Sequence, residues 1–293
     1  MKKIVLVPVI IAVLLPFVIS ACTAETLSVE PTFTPIPPTP ATPAEVRAVF
    51  NYDPLQPLEV DWGEVNEKDG VEVQTISYAS TMGDRVPAYF VKPAGAGPFP
   101  AVIFLHCGHN TSCNKTEFIY EANQLAKRGI ASLSIDGPLR RISEANFEAG
   151  SMFIYSVQDV MRAVDLVGSL PEIDGGKIGY VGHSYGATTG GILAGVDTRI
   201  TAFVFMAGHA QVSIAAGPES IDYLDAIHYI PYASHASLLF QSAEQDRFVS
   251  REGAKLFYEV ASEPKEIRWY DTDHDFNSEA RNDRLDWLVD HLQ

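Results

Sequence analysis

The chain has 293 residues, 46% of them apolar and 20% charged, with a formal net charge of −16. That apolar content supports a large buried core, and the acidic excess argues against nucleic acid or another polyanion as a partner. A solvated acidic surface is sufficient to explain the charge.

The chain opens with Lys2 and Lys3, an apolar run over residues 4–19 and then small residues, which predicts a secretory signal over residues 1–21. A retained transmembrane anchor is the alternative. Ile19-Ser20-Ala21-Cys22 resembles the lipobox of bacterial lipoproteins, whose cysteine becomes the lipidated first residue of the mature chain. The resemblance implies export and a lipid on Cys22, holding the protein at the outer face of a bacterial membrane without burying any of the fold. Losing Lys2 and Lys3 takes the charge from −16 to −18. Residues 22–44 are rich in Thr and Pro, cannot build a core, and read as an extended linker. Residues 45–293 suit one α/β domain and are too few for two full catalytic domains.

Within the domain, residues 69–77 (DGVEVQTIS) alternate Val71, Val73 and Ile76 with polar residues, and residues 85–91 follow the turn Met82-Gly83-Asp84. The pair predicts an antiparallel hairpin at a sheet edge. Residues 101–105 (AVIFL) read as a central strand buried on both faces, ending in His106-Cys107-Gly108-His109. Residues 116–128 have helical spacing and stop at Gly129; a strand over 130–135 and a long helix over 147–170 follow. Residues 178–181 predict a short buried strand that turns hard into a helix, and residues 200–206 (ITAFVFM) another strand. Segments 237–241, 253–261, 266–270 and 278–292 continue the alternation. The pattern predicts an α/β fold: a mostly parallel central sheet, helices on both faces and an antiparallel N-terminal edge.

The hard turn is Gly182-His183-Ser184-Tyr185-Gly186, a Gly-x-Ser-x-Gly pentapeptide. That spacing sets a serine on a strained strand-to-helix corner, with its hydroxyl outward and the next N–H facing the reacting carbonyl. Alone the pentapeptide is a weak signal; it gains weight if a base and an acid follow. Of the eight histidines (His106, His109, His183, His209, His228, His235, His274 and His291) most have ordinary readings, His183 as the variable residue of the pentapeptide and His291 on the terminal helix. His274 differs, because it sits in a polar loop (YDTDHDF) after the last predicted strand, where a general base can reach the serine. Asp246, in the loop after the strand over 237–241, is the leading candidate for the carboxylate that orients the base. Glu244 is its nearest rival, with Asp222 and Asp225 behind.

The order Ser184, Asp246, His274 matches one fold. The chain resembles the α/β-hydrolases, and within them the dienelactone hydrolase and prolyl-oligopeptidase-type esterases, over about residues 70–292. The resemblance implies acyl transfer through Ser184, no cofactor, and a small-molecule ester as substrate. It also implies an oxyanion hole made by the N–H of Tyr185 and one from the loop after the strand, either Gly108 or Cys107. There the chain departs from the family, with Cys107 where the first glycine is usual. Export permits a Cys107–Cys113 disulfide, two independent thiols being the alternative. No metal is expected, since His-Glu-x-x-His and paired Cys-x-x-Cys are both missing. The excursion over residues 209–235 is short for a large lid, and residues 45–70 leave no room for a propeller, which favours small acyl esters or acyl groups on carbohydrate. A peptidase of the same branch and an inactive lipid-anchored binding protein are the competing readings.

Overall fold

The predicted hairpin is the second and third of nine strands in one sheet: β1 (Asp61–Lys68), β2 (Val71–Ala79), β3 (Arg85–Pro93), β4 (Phe99–Leu105), β5 (Ala131–Ile135), β6 (Ile173–His183), β7 (Ile200–Met206), β8 (Ser237–Ala243) and β9 (Lys265–Tyr270). The computed structural model describes residue 44 and residues 47–108, 110–142, 150–211 and 222–293, all within the unit Pro38–Gln293. The expected signal, Cys22, nearly all of the linker, His109 and the start of the long helix lie outside the described residues.

The strand order is β1-β2-β3-β5-β4-β6-β7-β8-β9. The first three strands and the β3–β5 pair are antiparallel, and every pair from β5 onward is parallel. The fold is therefore α/β, with an antiparallel edge at the N-terminal side. β1 escapes the sequence reading because every residue of DWGEVNEK is exposed, so it carries no apolar alternation for a period-two pattern to find.

The parallel strands are apolar throughout because both faces are covered. Side chains two apart share a face. Ile103, Leu105, Tyr180, Phe203 and Phe205 pack on one side with α2 (Ser151–Ser169) and α3 (Tyr185–Val196). Val102, Phe104, Val181, Val204 and Leu239 pack on the other with α1 (Ile119–Ala126) and α5 (Ser278–Leu292). The helix over 251–260, α4 (Arg251–Val260), adds Phe257 to the first side. The described part of the excursion after β7 contains three short 3-10 turns, Asp222–Leu224, Ala226–His228 and Ile230–Tyr232. Its Tyr229 is buried, its ring set edge-on to Phe50, so it belongs to the core rather than to a pocket wall.

Candidate active site

Ser184 joins β6 to α3 with φ 54° and ψ −107°, a backbone setting that L residues rarely adopt. Its N–H donates to the Met206 carbonyl at 2.7 Å, and its own carbonyl accepts from the Thr188 N–H at 3.0 Å. The flanking glycines make the corner possible by leaving out side chains. A Cβ on Gly182 would lie 2.3 Å from the Gly186 carbonyl carbon, and one on Gly186 would lie 2.2 Å from the Leu105 oxygen. Tyr185 opens α3, so its N–H has no carbonyl one turn back to satisfy it within the helix. Ser184 itself is half-buried.

Asp246 and His274 lie in the loops that leave the carboxyl ends of β8 and β9, which are adjacent parallel strands. His274 Nδ1 is 2.8 Å from Asp246 Oδ2, and both side chains are almost fully buried. The other carboxylate oxygen, Oδ1, accepts from the N–H groups of Phe248 at 2.8 Å and Val249 at 3.0 Å. Burial pushes the Asp246 carboxyl up, but the His274 bond and these two N–H groups outweigh it and hold the group below its ordinary value. Asp246 is thus a carboxylate that fixes the ring of His274. Among its rivals, Glu244 is exposed and paired with Arg251, Asp225 is buried just ahead of the turn Ala226–His228, and the side chain of Asp222 lies outside the described ones.

The loop after β4 is held at several points. Cys107 and Cys113 form a disulfide with Cα atoms 4.9 Å apart. The main chain and ammonium of Lys115 both bond Asp136, each at 2.7 Å, which ties the loop to the end of β5. Arg140 donates to the carbonyls of Asn110 at 2.6 Å and Gly108 at 3.3 Å.

Of the two loop N–H groups expected as oxyanion donors, that of Cys107 donates to Glu117 Oε2 at 2.9 Å. It is already engaged, which corrects the expectation for Cys107 and leaves Gly108. The neighbouring peptide is fixed by His106, whose Nε2 accepts from the Gly137 N–H at 2.9 Å, so Nδ1 carries the proton and donates to the Cys107 carbonyl at 2.5 Å. Burial pushes the His106 ring below its ordinary value, consistent with that neutral tautomer. In a trans peptide the Cys107 C=O and the Gly108 N–H point in opposite directions, so His106 sets the direction of the Gly108 N–H. Gly108 also lies against the elbow: a Cβ there would stand 3.2 Å from Tyr185 Cβ.

Two further groups were not legible in the sequence. His183, the variable residue of the pentapeptide, is 2% exposed. Its Nδ1 is 2.6 Å from Glu117 Oε1 and its Nε2 is 2.9 Å from the His274 carbonyl. Burial pushes the Glu117 carboxyl up, but its hydrogen bonds with His183 and the Cys107 N–H hold it below the ordinary carboxylate value. Phe248, half exposed beside the acid, sets its ring edge-on to His274 at 4.8 Å between centroids. Among the described residues, Cys107, Cys113 and Glu117 are close enough together to hold a metal ion, but the disulfide removes the thiolates such a site would use.

A family model described as "Esterase FrsA-like" matches residues 60–226, which takes in β1 to β7, the loop after β4 and the serine corner but stops short of β8, β9, Asp246 and His274. The chain is 26% identical over 213 residues to "Putative hydrolase YtaP" of Bacillus subtilis (strain 168), spanning 65% of this chain and 71% of that one. The fold is similar to that of an acetyl xylan esterase from Paenibacillus sp. R4, with a TM-score of 0.70 at 18% identity over 85% of this chain and 93% of that one. It is likewise similar to acetyl xylan esterase 1 from Thermoanaerobacterium sp. JW/SL YS485, with a TM-score of 0.68 at 14% identity over 87% and 95% of the two chains.

Proposed function

Because the chain belongs to the FrsA-like esterase family, we propose that it hydrolyses carboxylic esters through a covalent acyl-enzyme on Ser184. The observation that carries this reading is the Asp246–His274 pair, set on adjacent loops at the strand ends where Ser184 stands at its strained corner. His274 Nε2 takes the proton from the Ser184 hydroxyl as Oγ attacks the ester carbonyl carbon. Asp246 holds the opposite ring nitrogen and stabilises the imidazolium that forms. The N–H groups of Tyr185 and Gly108 receive the oxyanion, each worth roughly 3 kcal/mol to the transition state. The imidazolium then gives its proton to the leaving alcohol. Water, deprotonated by the same ring, attacks the acyl carbon, releases the acid and restores the Ser184 hydroxyl.

The substrate we favour is a small acyl ester, the acetyl group of an acetylated sugar included. Acetyl xylan esterases share the fold, and the half-exposed Phe248 beside His274 offers an apolar face to a sugar or small alcohol. The same proposal places the protein outside the cell, tethered by a lipid on Cys22, with kinship to the dienelactone hydrolase-type esterases.

A serine-directed fluorophosphonate tests the chemistry. It should label the wild type and not Ser184→Ala, whereas a folded wild type that resists labelling would make the protein a binder. A panel of p-nitrophenyl esters graded by chain length, run beside acetylated xylo-oligosaccharides and an aminoacyl amide, ranks the substrate classes. Release of the protein from membranes by Cys22→Ser checks the anchor.

A further inference from the structure

An unbroken chain of hydrogen bonds joins the loop after β4 to the loop of His274 through the residue before Ser184. It runs from the Cys107 N–H to Glu117 Oε2 at 2.9 Å, from Glu117 Oε1 to His183 Nδ1 at 2.6 Å, and from His183 Nε2 to the His274 carbonyl at 2.9 Å. Its three stations belong to three different parts of the machinery. Cys107 precedes the oxyanion donor Gly108, His183 precedes the nucleophile Ser184, and His274 is the base. The His183–His274 contact is buried and the two made by Glu117 are partly so, the side chain of His183 being 3% exposed and that of Glu117 18%.

We propose that Glu117 and His183 are a positioning pair, which sets the distance between the oxyanion loop and the loop of the general base across Ser184. This rests on the serine-hydrolase reading and adds two residues to it. Neither touches the reacting atoms; each acts through a backbone group of a residue beside or within the machinery. Glu117 can serve both ends because a carboxylate has two acceptor oxygens about 120° apart, one for each partner. The imidazole relays the hold because its Nε2 faces a carbonyl, which can only accept, so that nitrogen must carry a proton. The pair also answers a problem particular to this chain. With cysteine in place of the usual glycine, the loop is held at Cys107 twice, through the side chain by Cys113 and through the peptide N–H by the Glu117 carboxylate.

Displacements of about 1 Å in such constellations cost on the order of 10²-fold in rate. Glu117→Ala and His183→Ala should therefore each lower kcat on p-nitrophenyl acetate by about 30- to 100-fold. KM should change little, because the ester itself is not contacted. The double variant should be no worse than the poorer single one, since both cut the same chain of bonds. Glu117→Gln should recover most of the loss: its amide oxygen accepts from Cys107, and its NH2 donates to a neutral His183 that keeps its proton on Nε2. Folded alanine variants with kcat within two-fold of wild type would overturn the proposal, as would losses that multiply in the double variant. If an alanine variant fails to fold, Glu117→Asp replaces it; one methylene short, it cannot span both partners, and an undiminished kcat there overturns the proposal equally. Fluorophosphonate labelling of the wild type keeps the two levels apart. An unlabelled wild type sinks the hydrolase reading and the pair with it, while a labelled wild type with fully active variants sinks the pair alone.

Discussion

His274 Nδ1 meets Asp246 Oδ2 at 2.8 Å although 28 residues separate them in the chain. The meeting follows from topology: β8 and β9 run parallel side by side, so the loops leaving them emerge together at one edge of the sheet. Two backbone bonds bind those loops, from Glu244 N–H to the Tyr270 carbonyl at 2.9 Å and from Gln245 N–H to the Thr272 carbonyl at 3.0 Å. Asp246→Asn keeps the size of the group, but its amide can present an NH2 to His274 and favour the wrong tautomer. The kcat on a p-nitrophenyl ester should fall by roughly 10³- to 10⁴-fold with the fold intact by circular dichroism. Glu244→Gln, at an exposed ion pair with Arg251, should stay within about two-fold.

The disulfide gives a second prediction. Cys107 and Cys113 close a loop with a sequence separation of 6, whose removal should cost roughly 2 kcal/mol by loop entropy. The kinetic effect is expected through Gly108, the residue after Cys107. Cys107→Ser with Cys113→Ser, or reduction of the native protein, should lower kcat by about ten-fold, because Gly108, the proposed oxyanion donor, loses one of its fixed neighbours. Free thiols are titrated before and after reduction. Full activity with the bond demonstrably open would remove the disulfide from the site.

Gly186 gives a third. A Cβ on it would stand 2.2 Å from the Leu105 oxygen and 3.0 Å from the His106 oxygen, both backbone atoms that cannot swing aside. Gly186→Ala must push α3 off the end of β4, and we expect a loss of about 3 kcal/mol or more in urea denaturation, together with the activity. Gly168→Ala, where a Cβ meets nothing within 4 Å, is the control and should leave stability nearly unchanged.

The parts of the site legible in the sequence are those whose meaning is local. The serine corner is a five-residue pattern, and the loops of Asp246 and His274 end recognisable apolar strands. Glu117 was not legible, because an acid beside the start of a helix has an ordinary use there and only the folded chain brings it to Cys107 and His183. His183 was hidden for a related reason: its position in the pentapeptide tolerates any side chain, so the motif says nothing about what it touches. The β1 strand was missed on the opposite ground, that an edge strand exposed along its whole length has no apolar pattern to read. The choice between the N–H groups of Cys107 and Gly108 was not legible either, because the engagement of the Cys107 N–H depends on Glu117, ten residues on.

The fourth prediction concerns acid. The folded state holds the carboxyls of Glu117 and Asp246 below their ordinary values of 4.5 and 3.8. For groups so lowered, the unfolded chain binds protons more readily than the folded one, so their contribution is fully present above the ordinary carboxylate range. It is lost as the pH falls through the folded values. Melting temperature should accordingly be nearly level above about pH 5.5 as far as these two groups are concerned, and should drop progressively on acidification below that. The double variant, Glu117→Gln combined with His183→Gln, removes one of the two carboxyl titrations and leaves no buried imidazole in its place. Its melting temperature should be lower than wild type at pH 6, yet it should fall less between pH 5 and pH 3, so that the two curves converge in acid. Differential scanning calorimetry across that range reads the slopes directly. Parallel curves would mean that Glu117 titrates alike in the folded and unfolded chains, and the charge-assisted contacts to Cys107 and His183 would then contribute nothing to stability.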